Sequence, residues 1–296
     1  MVSRMRARDL ITEGERRLKR SPAIDHWPAD REWRDAAVLL AHALGEGDRD
    51  EPDDLEAEVP GRAAGRFRRL VRRRAGGEPI AHIVGWTEFR GLHLRIRPGA
   101  FVPRQSSEWT VEQVVRRLRP RRRPVHVDVA TGMGPIALAV AAEVPAAEVH
   151  GTDLLAAGLR QGANNARRLG IRNATFHVGD LFDALPPHLR AAVDAVTLHP
   201  PYVPRLEVGD LPLEVRGFEP EPTLTDYSEH GMGLVERTVE EARAWLASGG
   251  WLLVEVSSDR SRRVRGLLQR AGYEDVRSTR GWPDITRTVV GRWAPR

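Results

Sequence analysis

The spacing of hydrophobic positions changes twice along this 296-residue chain. Up to about Gly76 they recur at helical intervals. In WRDAAVLLAHALG, residues Ala36, Ala37, Leu39, Leu40, Ala43 and Leu44 share one face, and Gly45 supplies a C-terminal stop. The acidic stretch EGDRDEPDDLEAEVP reads as a loop with a short helix, and a basic helix is expected over about 61–74, closed by Gly76 and Gly77. Over 79–103 the pattern alternates instead. Leu92, Leu94 and Ile96 line one arm and Arg90-Gly91 marks a turn, which predicts a β-hairpin. From Pro124 onward, PVHVDVA, AEVHGTD, ATFHVGD, VDAVTLH and WLLVEVS read as strands separated by helical runs, and a last strand pair is expected near 273–276 and 286–290. Repeated β–α units specify a parallel, doubly wound α/β sheet. The expected organisation is a helical N-terminal domain over 1–77, a hairpin linker over 78–105 and an α/β domain over 106–296.

Composition narrows the setting. A 41% hydrophobic content is that of a globular chain. No apolar run approaches the roughly 20 residues of a membrane helix, and MVSRMRARDL lacks the apolar core of a signal peptide. A cytoplasmic protein without a membrane partner is expected. The absence of cysteine excludes disulfides, thiolate catalysis and Cys-based metal sites. The net charge of +5 comes almost wholly from arginine, Lys19 being the only lysine. Residues 61–77 carry seven arginines and no acid, and RRLRPRRR carries six. Such runs meet RNA or acidic partners, or are plain solvated faces. Few aromatic residues interleave with them to stack bases, so RNA or the ribosome is a candidate neighbour and not an inferred substrate.

Candidate chemistry begins at HVDVATGMGPIALAV, an apolar strand, a glycine turn and an apolar helix. Gly132 and Gly134, with Ala130, Thr131 and Met133 around them, let backbone N–H groups approach a ligand, and the helix start favours negative charge. Asp153 ends the next strand, where its carboxylate suits both hydroxyls of a ribose. Gly132-x-Gly134-x-x-Ala137 with this acid about twenty residues on satisfies the dinucleotide fingerprint as well. The turn alone therefore leaves open a nicotinamide cofactor, S-adenosylmethionine, or a structural role. Asp128, placed for an α-ammonium, and Asp180, placed for an adenine amino group, tilt the reading toward a bound cofactor. In AVTLHPPYVP an apolar strand stops at His199-Pro200-Pro201-Tyr202, since proline cannot continue a ladder. An amide is a poor nucleophile. A polar side chain, a proline carbonyl and a flat ring could orient its N–H groups and stabilise the charge that develops during methyl transfer.

At these residues the chain resembles the release-factor glutamine N5-methyltransferases of the HemK type, which carry Asn-Pro-Pro-Tyr at the position of His199–Tyr202. The resemblance spans most of the chain, through DAAVLLAHALG, GEPIAHIVGWTEFRGLHLRIRPGAFVPR, DVATGMGPIALAVA, GTD, LEVRGFEPEPTL, ASGGWLLVEV and GYEDV. It implies a Rossmann-like class I methyltransferase domain with a mostly parallel seven-stranded sheet and a small helical domain for substrate recognition. It further implies S-adenosyl-L-methionine as cofactor, a protein substrate such as a peptide chain release factor presenting a Gly-Gly-Gln loop, no metal, and action as a monomer. By position, Ala130 to Gly134, Asp153, Leu181 and His199 would touch the cofactor. His199, Pro200, Pro201 and Tyr202 would hold the substrate amide, with His199, Pro200 and Tyr202 as the catalytic set. Four departures surround this site. His199 replaces an asparagine that could pair head-to-tail with an amide, whereas neutral imidazole has one donor and one acceptor in different directions. PRQSSE stands for PRPETE, Leu181 for an aromatic residue, and TDYSEHGMGL lacks the run GG-x-DGL. An active N-methyltransferase, an enzyme for another acceptor with His199 as general base, and a cofactor-binding protein with little activity all stay open.

Overall fold

The computed structural model describes residues 5–280 and 286–295. Helices α1 (Ala7–Leu18), α2 (Arg31–Leu44), α3 (Gly61–Ala75) and α4 (Ile80–Val84) precede a hairpin of β1 (Trp86–Phe89) and β2 (Leu92–Arg95). Then follow α5 (Glu108–Leu118), β3 (Val125–Val129), α6 (Pro135–Glu143), β4 (Glu148–Asp153), α7 (Ala156–Leu169), β5 (Ala174–Val178) and β6 (Val193–Leu198). The chain ends with α8 (Leu213–Arg216), α9 (Gly233–Glu241), β7 (Leu246–Ser257), α10 (Ser261–Arg270), β8 (Glu274–Arg280) and β9 (Thr286–Arg292). It divides into two compact units, a helical one containing residues through Trp86 with 96–98 and 209–219, and an α/β one containing the rest. Among the described residues no helix is long and apolar enough to cross a membrane.

In the helical unit the apolar stripes of α1, α2 and α3 meet around Leu10, Ile11, Leu40, Phe67 and Val71, and Gly45 ends α2 in the left-handed conformation. Two expectations fail locally. Residues 46–60 hold no helix. There, Asp54 accepts from the Glu56 N–H at 2.8 Å and Glu46 from the Asp53 N–H at 3.1 Å, so short acidic side chains compete with the helical ladder. Residues 80–84 are helical and not extended: Pro79 opens the turn, Gly85 (φ 83°) closes it, and Ile83 and Val84 bury into the helical core. The hairpin forms as expected, with Arg90 and Gly91 both at positive φ, the twist a two-residue loop requires.

A buried ion cluster joins distant parts of this unit. Arg74, with no exposed side-chain surface, reaches Asp35 at 2.6 Å and Glu214 at 2.8 Å. Glu214 also accepts two bonds from Arg31, at 3.0 and 2.8 Å, and one from the Asp25 N–H at 2.8 Å. Segment 209–219 therefore belongs to the helical unit although it follows the tetrapeptide in sequence.

The α/β unit carries a seven-stranded sheet ordered β5-β4-β3-β6-β7-β9-β8. The pairs β3–β4, β3–β6, β4–β5 and β6–β7 are parallel, and β9 runs antiparallel to β7 and β8. β3 has β4 on one side and β6 on the other, so the order of strands reverses there. In such sheets the ligand crevice opens at the C-terminal ends of the strands flanking that point.

Candidate active site

Register brings the singled-out residues together. Val129 lies opposite Thr152 of β4 and Leu198 of β6, so the glycine turn, Asp153 and His199 leave three neighbouring strands about 5 Å apart. Ala130 turns the chain at φ 52°. The Thr131 N–H donates to the Thr152 carbonyl at 3.0 Å, the Gly132 N–H to Asp153 Oδ2 at 2.8 Å, and the Gly134 N–H to the Thr131 carbonyl at 2.8 Å. The N–H groups of Gly132 and Gly134 are thus bonded inside the turn, not presented to a ligand as the glycine pattern led us to expect. Gly134 is needed for another reason: at φ 75° a Cβ would lie 2.5 Å from the Phe176 ring. Met133 is buried beside it.

The electrostatics of the turn are unusual. Asp128 is 1% exposed. Thr131 Oγ1 donates to its Oδ2, and Thr197 Oγ1 to its Oδ1 at 2.6 Å. Burial outweighs these bonds and pushes the carboxyl up to about 6. Asp153 accepts from the Gly132 and Leu155 N–H groups, and burial also raises its pKa. Neither carboxylate has a cationic partner among the described residues. Because Thr197 gives its proton to Asp128, it must accept from His126 Nε2, 2.9 Å away. Burial holds His126 near 3, so this histidine is neutral.

The adenine-side candidates are placed differently. Asp180 is partly exposed and pairs with Arg237 at 3.0 Å. Leu181 adopts φ 48°, and its side chain belongs to the core beside Phe182 and Met232.

The tetrapeptide is held on every side. His199 Nδ1 lies 3.2 Å from Ser107 Oγ. Its ring meets Phe101 edge-on (5.6 Å, 85°) and lies nearly parallel to Tyr202 (6.1 Å, 23°). Burial lowers the His199 pKa, which keeps the ring neutral at neutral pH. The Pro201 carbonyl accepts from Asp226 at 3.0 Å and Tyr202 bridges to Thr225, whereas the Pro200 carbonyl has no partner among the described residues. A Cβ on Gly231 (φ 61°) would stand 2.1 Å from the Tyr202 carbonyl oxygen, so TDYSEHGMGL retains a glycine where the loop must be approached closely. Sequence reasoning missed Phe101, Ser107 and Glu255. Glu255, 1% exposed, accepts from Ser106 at 3.2 Å and Thr110 at 2.9 Å. An acid inside the apolar run WLLVEVS was its signal, but nothing local marks Phe101 or Ser107.

This sheet order, with a glycine turn after β3 and an acid ending β4, defines a class I methyltransferase. Residues 124–270 match a methyltransferase domain and residues 9–85 the PrmC N-terminal domain. The fold is shared with a T. thermophilus 16S rRNA N2 methyltransferase solved with AdoMet and guanosine (TM-score 0.52, 17% identity, 70% of this chain and 49% of that one). Release factor glutamine methyltransferases are similar over nearly the whole length. The Escherichia coli protein is 34% identical (88% of this chain, 92% of that one), the Burkholderia pseudomallei protein 36% (87% and 91%) and the Aliivibrio fischeri protein 32% (88% and 89%). The chain belongs to the release factor glutamine methyltransferase family.

Proposed function

We propose that this protein uses S-adenosylmethionine to methylate the side-chain amide nitrogen of a glutamine in a peptide chain release factor, acting as a cytoplasmic monomer without a metal. One observation carries the cofactor assignment. In a dinucleotide site the start of the helix after the glycine turn receives a pyrophosphate; here the buried carboxyl of Asp128 is bonded to Thr131 of that turn and has no counter-ion among the described residues. With no cation beside buried Asp128, the turn disfavours a pyrophosphate and suits a cationic ligand. Bound S-adenosylmethionine supplies an electrophilic methyl group on a sulfonium. The chain's own residues then divide the work. The turn from Ala130 to Gly134 cradles the ligand, and Asp128 acts from beneath it on the α-ammonium. Asp153 has lone pairs left for ribose hydroxyls, and Asp180 and Leu181 border the adenine. His199 Nε2 and the Pro200 carbonyl accept from the target N–H groups, while Pro201 and Tyr202 shape and wall the slot. Transfer is a displacement in which orientation matters more than proton removal, so a single imidazole acceptor in place of an amide slows the reaction without abolishing it.

Residues 1–77 and the hairpin within 78–105 serve recognition of the protein substrate, and residues 106–296 form the transferase domain. Arg74 is buried, Arg68 pairs with Glu13 and Arg73 with Glu78. That leaves Arg62, Arg66, Arg69 and Arg72 as the exposed cations of α3 available to the release factor or to ribosomal RNA.

The test is a labelled-methyl assay of wild type and His199→Asn on a release factor and on a cell extract, with the modified residue located by mass spectrometry. The expected result is glutamine labelling by wild type. The presence of histidine at 199 favours a second reading, a changed acceptor or a protein that binds cofactor with little activity. Glutamine labelling by the Asn variant alone, or transfer by neither protein, would support it.

A further inference from the structure

We propose that Ser107 is a positioning residue that accepts a hydrogen bond from His199 Nδ1–H and thereby presents His199 Nε2 as a hydrogen-bond acceptor. The inference rests on the methyl-transfer reading and assigns a role to a residue outside the tetrapeptide. A neutral imidazole carries one donor and one acceptor, and the bond made at one nitrogen decides which the other becomes. Ser107 Oγ, at 3.2 Å from Nδ1, makes the polar contact to the ring, and Nε2 has no partner among the described residues.

The serine is well fixed. It is 2% exposed, in a short turn over Gln105–Ser107 whose last N–H bonds the Arg104 carbonyl at 3.0 Å. Buried Glu255 accepts from Ser106 within that turn and from Thr110 in the first turn of α5 that follows it. Phe101 against the ring edge-on and Tyr202 alongside it limit its rotation. The opposite tautomer would aim an N–H at an amide nitrogen that itself needs acceptors. Histidine at 199 thus works as a pair with residue 107, which asparagine, with both functions on one amide, does not require.

Two readouts on the full-length protein separate this claim from the reading beneath it. Nitrogen-15 spectra of the His199 ring should show the Nδ1–H tautomer in wild type and Ser107→Thr, and a shift toward Nε2–H in Ser107→Ala. In the methyl-transfer assay Ser107→Ala should lower kcat about five- to tenfold, the worth of one neutral hydrogen bond. Ser107→Thr should restore it, and the serine change should cost less than about twofold in a His199→Asn background. Wild type in the Nε2–H form, spectra unmoved by Ser107→Ala, or equal losses in both backgrounds would overturn the proposal. Absence of glutamine methylation by wild type would sink the functional reading instead, and the spectra would still decide the role of Ser107.

Discussion

The two units bury charge in opposite ways. In the helical unit Arg74 and Arg31 face Asp35 and Glu214, and every member has an opposite charge within hydrogen-bond reach. Burial alone would raise the Glu214 pKa, but Arg74 and Arg31 outweigh it and hold the carboxyl below its ordinary 4.5. In the α/β unit Asp128 is buried more deeply than Glu214, its hydrogen-bond donors are two hydroxyls and no cation, and it rises to about 6. Hydroxyls orient a carboxylate without neutralising it. Matched charges are a device of the fold, whereas a buried carboxylate left without a counter-ion beside a glycine turn marks a candidate ligand site. The pH signatures follow. Glu214, depressed on folding, contributes stability that is present above its ordinary 4.5 and lost as pH falls below it. Asp128, raised on folding, contributes stability that is present below its ordinary 3.8 and lost as pH rises through about 6.

The comparison breaks most visibly at Arg74. Arg74→Met strands buried carboxylates and should destabilise the protein by about 3–5 kcal/mol in urea unfolding. The loss should shrink in acid as Glu214 takes up a proton. A loss below about 1 kcal/mol at pH 7 would mean the cluster is no more than a surface pair. Thr197→Val is the smaller counterpart. It removes one donor from Asp128 and the acceptor for His126, and should cost about 1.5–3 kcal/mol at pH 8 and less at pH 5, where Asp128 is protonated. An unchanged unfolding midpoint at both pH values would show that the hydroxyl does not support the carboxylate.

These regions also differ in how much the sequence disclosed. The α/β unit was legible because its signals are local. Apolar runs with glycine or acid at their ends give strands and turns, and the neighbouring positions of β3, β4 and β6 follow from doubly wound order. That Ala130 to Gly134, Asp153 and His199–Tyr202 leave neighbouring strand ends was readable for that reason. The arginine run at 116–123 was not: Arg116 pairs with Glu112, Arg119 with Glu143 and Arg121 with Asp194, and Arg117 stacks on Trp251. A charge run announces itself in sequence, but its partners do not. The same holds for Arg74 and Glu214, which are far apart in sequence, and for Ser107 and His199. Asp128 could be placed from sequence, but not its donor Thr197, which comes from another strand.

The most direct test of the unmatched-charge account is the affinity for S-adenosylmethionine, measured by calorimetry between pH 5 and 8 on wild type and Asp128→Asn. Wild-type affinity should rise about tenfold as pH passes upward through about 6, because a cationic ligand favours ionised Asp128. The Asn variant should bind about tenfold more weakly at pH 8 and lose that rise, while its unliganded form is more stable by on the order of 1 kcal/mol. An Asn variant that binds as tightly as wild type with the same pH profile, or a wild type that binds NAD and ignores S-adenosylmethionine, would contradict the account.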